Sequence, residues 1–235
     1  MFFFPTFNIN YLLYMLPAIL LSLGVQLYVN ASFSRWSQVR NNSGMTGVQV
    51  AQRLSESMRL YDLKLQGTPG RLTDHYDPRN NVLSLSRDIA QGSTVAAMAI
   101  TAHELGHAQQ DQQEYLLMRI RSAMVPVVNI GTSVGWIFIL IGLLLQISGL
   151  AWIGVIAFSA GAIFSIATLP VELNASRRAR ELLESNGLIT TAQERRGVNQ
   201  VLNAAALTYV AAIASSVMQL LYFASLAGGT SRRRG

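Results

Sequence analysis

Two histidines and a glutamate stand close together in residues 101–108, TAHELGHA. His103 and His107 are four positions apart, so on a helix of 3.6 residues per turn they project from nearly the same face. Both imidazoles can then bind one tetrahedral zinc ion. Glu104, one step around the helix, can deprotonate a water molecule held by the metal. The chain has only three histidines, and two of them in this spacing favour a metal site over a chance arrangement.

A catalytic zinc site needs a third protein ligand and keeps a fourth position for water. Glu172, in the sequence LPVELNA, is the strongest candidate. It follows Pro170 by two residues, which predicts that it lies in the first turn of a new helix. Under the alternative interpretation it is an ordinary carboxylate near a helix N-terminus, where the helix dipole stabilises it. His75, Asp111 and Glu114 remain weaker candidates for the third ligand.

Long uncharged stretches dominate the sequence. The chain is 51% apolar and 13% charged, whereas about 25% of the residues of soluble proteins are charged. Four segments are long and apolar enough to span a bilayer, namely 9–29, 125–146, 150–169 and 201–226. Only residues 147–149 join the second and third, which predicts a tight helical hairpin. No basic residue precedes Arg35, so we expect the first segment to be a retained anchor and not a signal peptide.

The distribution of basic residues predicts the topology. Of the 18 Lys and Arg residues, ten lie in 30–124 and five in 170–200. By the positive-inside rule both segments face the cytoplasm and the N-terminus faces out. The three arginines of 232–234 would then lie outside, against the rule, and their side stays open.

The chain lacks cysteine, which excludes disulfides, cysteine ligands and a cysteine nucleophile. No interleaving of aromatic and basic residues suggests a nucleic-acid partner.

Residues 31–124 predict a small α+β unit. Apolar residues at helical spacing predict a helix from Gly47 to Leu63 with Thr46 as N-cap. The turn sequence DPRNN separates 72–76 from 82–86, which predicts a short β-hairpin. A helix over 93–115 then carries the two histidines. Strand 82–86 could bind a substrate as an added strand, or it could belong to a purely structural hairpin.

Three motifs together resemble those of the YugP-like membrane zinc metallopeptidases: LTDHYDP at 72–78, HELGHA at 103–108 and LPVE at 169–172. The resemblance covers nearly the whole chain. The layout is more distantly similar to the HtpX-like and CAAX prenyl proteases, which are gluzincins. This resemblance implies one zinc ion per chain, bound by His103, His107 and Glu172, with Glu104 as general base. Asn174 departs from the acidic residue expected in many relatives, and such a neutral replacement could change how a zinc-bound histidine is oriented.

We therefore expect a mainly α integral membrane protein with about four transmembrane helices and a small α+β cytoplasmic metallopeptidase unit. The expected segments are an anchor (1–30), a catalytic segment (31–124), a transmembrane hairpin (125–169), a helix with the third zinc ligand (170–200), and a last transmembrane helix with a basic tail (201–235). The cell membrane is the expected location, with several passes and a cytoplasmic active site.

The expected activity is zinc-dependent endopeptidase hydrolysis of membrane or membrane-proximal proteins, in which Glu104 accepts a proton from a zinc-activated water. The partners are then the lipid bilayer and a protein or peptide substrate. An adaptor and the oligomeric state stay open.

The candidates to stabilise the oxyanion are His75, Tyr76, Arg178 and Tyr209. For His75 the alternative is a structural role at the turn. The alternative function is an inactive zinc-binding scaffold, although such a scaffold would not need Glu104. A transporter would need ionisable residues within the spans, where they are essentially lacking.

Overall fold

The computed structural model describes residues 9–232 of the chain, with side chains as far as residue 229, and it is mainly helical. The elements in chain order are α1 (Ile9–Trp36), α2 (Gly47–Ser57), β1 (Lys64–Thr68), β2 (His75–Asp77), β3 (Val82–Ser86), α3 (Arg87–Gln91), α4 (Val95–Gln112), α5 (Leu116–Leu144), α6 (Ser148–Ser185) and α7 (Ala192–Arg232). The predicted fold class, mainly helical with a small α+β part, is confirmed. Residues 1–8 and 233–235 lie outside the described part, and so do the predicted outer N-terminus and most of the arginine tail.

Four of these helices are long and apolar enough to cross a membrane: α1, α5, α6, and α7 as far as Gly229. Three of them contain a predicted apolar segment whole and extend beyond it, whereas α5 ends at Leu144, two residues before the end of the predicted segment 125–146. The α6 helix passes through Pro170 without a break, so the prediction of a new helix at this proline was wrong. A proline inside a helix costs about 3 kcal/mol. Burial of Thr168, Val171 and Ala175 on both sides of Pro170 offsets that cost.

The chain forms two compact units. The first, here called the membrane unit, contains the described residues up to Val25, Ile120–Leu169, and the residues from Thr208 onward. The second, here called the catalytic unit, contains Gln26–Arg119 and Pro170–Leu207. The five-segment division made from the sequence stays a prediction.

Glycines allow α5 and α6 to pack closely in the membrane unit. A Cβ atom at Gly135 would lie 2.6 Å from the backbone nitrogen of Phe158, and one at Gly154 would lie 2.5 Å from that of Ile139. Small residues allow helix backbones to approach this closely in lipid, where van der Waals packing and not the hydrophobic effect drives helix association. Such contacts hold together the predicted helical hairpin.

The α2 helix begins as predicted and ends earlier. The Thr46 side chain accepts a hydrogen bond from the Gln49 backbone, and the Gln49 side chain accepts one from the Thr46 backbone, which forms a capping box. The helix ends at Ser57 and not at Leu63. At Arg59 the backbone takes φ 57°, a left-handed conformation that is incompatible with a continuing helix.

The sheet has three strands in the order β1-β3-β2. The predicted hairpin is confirmed, because β2 pairs antiparallel with β3. The parallel strand β1 was not predicted, because a five-residue segment that includes Gly67 has a weak strand signal. Residues 82–84 of β3 pair with β1 on one side and with β2 on the other, and the Ser86 N–H is bonded to the Asp74 side chain. The hypothesis that residues 82–86 bind substrate as an added strand was therefore wrong. The edge strands are β1 and β2.

The α4 helix runs through the core of the catalytic unit. Its N-cap Thr94 accepts a hydrogen bond from the Ala97 backbone. Its side chains pack in one cluster with α2 and β3, as at Leu54, Leu83 and Leu105, each of which is 0% exposed. This burial fixes the position of the helix that carries the HELGHA motif.

Candidate metal centre

The histidines of α4 and the glutamate of α6 come together in the catalytic unit. The Glu172 Oε2 atom lies 3.2 Å from His103 Nε2 and 3.3 Å from His107 Nε2. One ligand atom from each of the three residues lies within 4.8 Å of the others, so the group could hold a metal ion. The rings of His103 and His107 are nearly perpendicular, at 83°, with centroids 5.0 Å apart.

The spacing of these atoms fits zinc. In a tetrahedral site with bonds of about 2.0–2.1 Å, two ligand atoms are roughly 3.3 Å apart. The two distances from Glu172 Oε2, 3.2 and 3.3 Å, match that edge length. Two imidazoles with one carboxylate form a donor set used by catalytic zinc sites. Glu172 is 2% exposed, and a carboxylate so deeply buried requires compensating positive charge or hydrogen bonds.

Close packing of α4 against α6 brings Glu172 to the histidines. A Cβ atom at Gly106 would lie 2.5 Å from the carbonyl oxygen of Ala175. Glycine at position 106 therefore permits the backbones of the two helices to touch. Glu172 and Ser176, four residues apart on α6, share the face that points to α4.

Glu104 lies beside the cluster and is anchored by the sheet. Its Oε2 atom accepts a hydrogen bond of 3.0 Å from the backbone N–H of Tyr76 on β2. Burial raises the pKa of the Glu104 carboxyl above its usual range, and the neighbouring charge of Glu172 adds to that effect. Positive charge on His103 and His107 opposes it. A carboxylate with a raised pKa is a stronger base, which suits proton transfer near neutral pH.

Each histidine of the cluster has a partner at its other ring nitrogen. Nδ1 of His103 lies 3.2 Å from Ser176 Oγ, and Nδ1 of His107 lies 3.0 Å from Gln110 Oε1. Burial by itself lowers the pKa of His107, but its hydrogen bond to Glu172 and the charges of Glu104 and Glu172 outweigh burial and raise it. Neither Gln110 nor Ser176 was predicted as a partner from the sequence, although Gln110 stands three residues after His107 on α4 and Ser176 four residues after Glu172 on α6.

Comparison with known proteins identifies the family. Residues 11–228 match the model of a family described as "Putative neutral zinc metallopeptidase". The chain belongs to this zinc metallopeptidase family. It is also 42% identical over 208 residues to the "Putative membrane protease YugP" of Bacillus subtilis (strain 168), an alignment that covers 88% of this chain and 92% of that protein. The predicted resemblance to YugP-like proteins is thereby confirmed. No solved structure matches the chain.

The other residues that the sequence offered for the site lie outside the three-residue cluster. His75 is exposed, and its Nδ1 lies 2.8 Å from the Thr73 carbonyl oxygen, a contact that suits the structural role at the turn. A catalytic role for His75 stays a prediction. Asp111 accepts a hydrogen bond of 2.9 Å from the Tyr76 hydroxyl. Glu114 is exposed and forms an ion pair with Arg119.

The remaining candidates for stabilising an oxyanion have different surroundings. The pKa of Tyr76 is raised, first by burial and then by its hydrogen bond to Asp111 and the charge of that residue, so its hydroxyl stays protonated and its one hydrogen is held in the bond to Asp111. Tyr209 belongs to the membrane unit. Arg178 is bonded to side chains of α4 and α6. A stabilising role for any of these three residues stays a prediction.

Proposed function

We propose that this metallopeptidase is an integral-membrane zinc endopeptidase that hydrolyses peptide bonds of membrane or membrane-proximal proteins, with Glu104 as general base. The observation that carries the proposal is the position of Glu104. This carboxylate stands beside the cluster of His103, His107 and Glu172 and is held by a backbone N–H of β2. A site that only stored metal would need the three ligands and not this fourth group.

Four residues of the chain have two roles in the proposed reaction, metal binding and proton transfer. His103, His107 and Glu172 would hold one zinc ion, which when bound supplies a Lewis acid that acidifies water and polarises a peptide carbonyl. Glu104 accepts the proton of the attacking water and delivers it to the leaving amine. Because one oxygen of Glu104 accepts the Tyr76 N–H, the other oxygen is left to receive that proton.

The proposed topology places the catalytic unit in the cytoplasm. Nine of the 18 Lys and Arg residues lie in Gln26–Arg119 and five in Pro170–Leu207, and cytoplasmic segments are rich in such residues. Because the chain has no cysteine, single cysteines can report the side directly. In intact cells, a membrane-impermeant maleimide should label Gly149→Cys, an exposed position in the first turn of α6 next to the connection with α5, and should label Ser57→Cys on α2 only after permeabilisation. The reverse pattern would overturn the topology.

The activity is tested with detergent-purified wild type beside Glu172→Ala and Glu104→Gln. We expect about one zinc per chain in wild type and in Glu104→Gln, and a large loss of zinc in Glu172→Ala. Hydrolysis of labelled casein should fall by about 10²- to 10⁴-fold in Glu104→Gln, and chelation should abolish it in wild type. Full hydrolysis by Glu104→Gln would overturn its role as base. Zinc binding by wild type without hydrolysis would favour the inactive scaffold, and wild type that binds no zinc would overturn the enzyme.

A further inference from the structure

We propose that Arg178 is a positioning residue that sets the tautomer of His107 through two side-chain amides, those of Asn174 and Gln110. The proposal rests on the zinc site described above, since its effect is to present His107 Nε2 as a metal ligand. The four residues form one hydrogen-bonded chain that links α6 to α4, here called the amide relay. Each link has only one chemically acceptable orientation.

The first link fixes the amide of Asn174. Arg178 Nε donates to Asn174 Oδ1 at 2.7 Å. A guanidinium has donors and no acceptor, so the atom of Asn174 that faces it must be the oxygen. The guanidinium is itself held in place, because its NH1 donates to Gln109 Oε1 at 3.0 Å and to Gln113 Oε1 at 2.6 Å.

The second link fixes the amide of Gln110. Its Nε2 lies 2.9 Å from Asn174 Oδ1 and 2.9 Å from the carbonyl oxygen of Val171. Both neighbours are acceptors, so both hydrogens of the Gln110 amide are used. Gln110 is 0% exposed, and a flipped amide would therefore bury its oxygen against two other oxygens without compensation from water.

The third link fixes the proton of His107. With its nitrogen committed, Gln110 presents Oε1 to His107 Nδ1 at 3.0 Å. An amide oxygen can only accept, so Nδ1 carries the hydrogen, and in the neutral ring Nε2 keeps its lone pair. This lone pair faces the Glu172 carboxylate at 3.3 Å, an arrangement that a shared cation stabilises. The Ser176 hydroxyl next to His103 can donate or accept, so it imposes no such choice on that ring.

The relay also explains how a neutral residue can stand at position 174. Asn174 contacts Gln110 and Arg178, and it reaches His107 only through Gln110. Both contacts use one oxygen as acceptor, which an amide supplies as well as a carboxylate does. Asn174→Asp keeps that oxygen and should therefore preserve the relay.

The variants that test the relay are Gln110→Leu, which has a similar volume and cannot bond, Arg178→Leu, and the conservative Asn174→Asp. Gln112→Leu is the matched control, since Gln112 is an exposed glutamine of the same helix that donates to Met58 O, outside the relay. Zinc affinity is measured by chelator competition on the full-length protein in detergent. We expect the Kd to rise by about 10- to 100-fold in Gln110→Leu and by a smaller factor in Arg178→Leu. Asn174→Asp and Gln112→Leu should stay within about threefold of wild type.

A second readout does not depend on zinc. Nitrogen-15 spectra of the three histidines, recorded without metal at a pH where the rings are neutral, report the tautomer of each ring. His107 should be protonated at Nδ1 in wild type and lose that preference in Gln110→Leu and Arg178→Leu. If Gln110→Leu fails to fold, Arg178→Leu, whose side chain is less buried, carries the test.

The outcomes separate this proposal from the proposed function. An unchanged His107 tautomer and an unchanged zinc Kd in Gln110→Leu, or in Arg178→Leu if the former does not fold, would overturn the relay and leave the peptidase proposal standing. A wild type that binds no zinc, in which the tautomer still depends on Gln110 and Arg178, would support the relay while the peptidase proposal fails.

Discussion

Replacing Gly106 by alanine should separate the two halves of the metal centre. The added Cβ would lie 2.5 Å from the carbonyl oxygen of Ala175 and 3.2 Å from its Cα. Carbon and oxygen normally approach to about 3.3 Å, so α4 and α6 must move apart by roughly 0.8 Å. A zinc site tolerates errors of about 0.2 Å in its bonds. The displacement therefore exceeds what Glu172 and the two histidines can absorb without side-chain rearrangement.

Two opposing effects set the change in stability. Alanine in place of glycine within a helix increases the free energy of unfolding by about 1 kcal/mol, whereas overpacking of a closely packed contact decreases it by about 1–3 kcal/mol. We expect a net loss of up to about 2 kcal/mol, or roughly 4–8 °C in Tm for a chain of this size. The zinc Kd should rise by about 10- to 100-fold, because the ligands lie on the two helices that separate.

Chelator competition and thermal unfolding in detergent measure the two effects. Gly24→Ala is the matched control, because Gly24 is also helical and its added Cβ would meet no atom within 4 Å. The control should keep the wild-type zinc Kd and Tm, or gain slightly in Tm. If Gly106→Ala binds zinc as tightly as wild type, the contact between α4 and α6 does not position Glu172, and the reasoning is refuted.

Three further predictions concern other parts of the chain. Glu194→Ala should lower the free energy of unfolding by about 3 kcal/mol or more, measured by thermal unfolding. The buried carboxylate accepts hydrogen bonds from three backbone N–H groups, and two of them, at about 1.5 kcal/mol each for a charged acceptor, already give that value. An unchanged Tm would contradict this. The pKa of Tyr76 in the folded protein is raised above its usual value of 10.0, so its neutral side chain stabilises the fold. This stabilisation is fully present below pH 10.0 and is lost as the pH rises through the raised pKa. Tyr76→Phe should therefore flatten the alkaline fall in Tm, and Asp111→Asn should lower the pH at which tyrosinate absorbance appears; equal profiles would exclude that coupling. In the membrane unit, Gly135→Ala should lower the Tm by overpacking against α6. The control Gly149→Ala, whose Cβ meets no atom within 4 Å, should leave the Tm unchanged. Equal effects of the two variants on the Tm would exclude close packing as the cause.

Several elements could be predicted because their signals are local. An apolar run long enough to cross a bilayer is visible in any window of about 20 residues. Three of the four predicted runs lie wholly in one long helix, and the fourth, 125–146, does so except for its last two residues. The β2–β3 hairpin follows from a turn between two short strands. The capping box at Thr46 involves residues three positions apart. Each of these features depends on neighbours along the chain.

Features that depend on distant partners were missed or wrongly predicted. The pairing of β1 with β3 is parallel and long-range, and nothing in five residues that include a glycine predicts it. An unbroken α6 at Pro170 depends on burial of the surrounding residues, which outweighs the local preference of proline for a helix start. The hypothesis that β3 binds an added strand failed for a similar reason, because the edge it needed is occupied by the distant strand β1.

The sequence by itself determined the chemistry that this protein carries: a helix with two histidines and a glutamate, four apolar spans, and membership of a zinc metallopeptidase family. Helical spacing is enough for this, because His103 and His107 share a face wherever the helix lies. The tertiary structure decided how that chemistry is arranged. Contact between α4 and α6 at Gly106 brings Glu172 to the two histidines and Ser176 to His103. No local pattern could predict these contacts between the two helices, because such distances are set by packing between segments that are far apart in the chain.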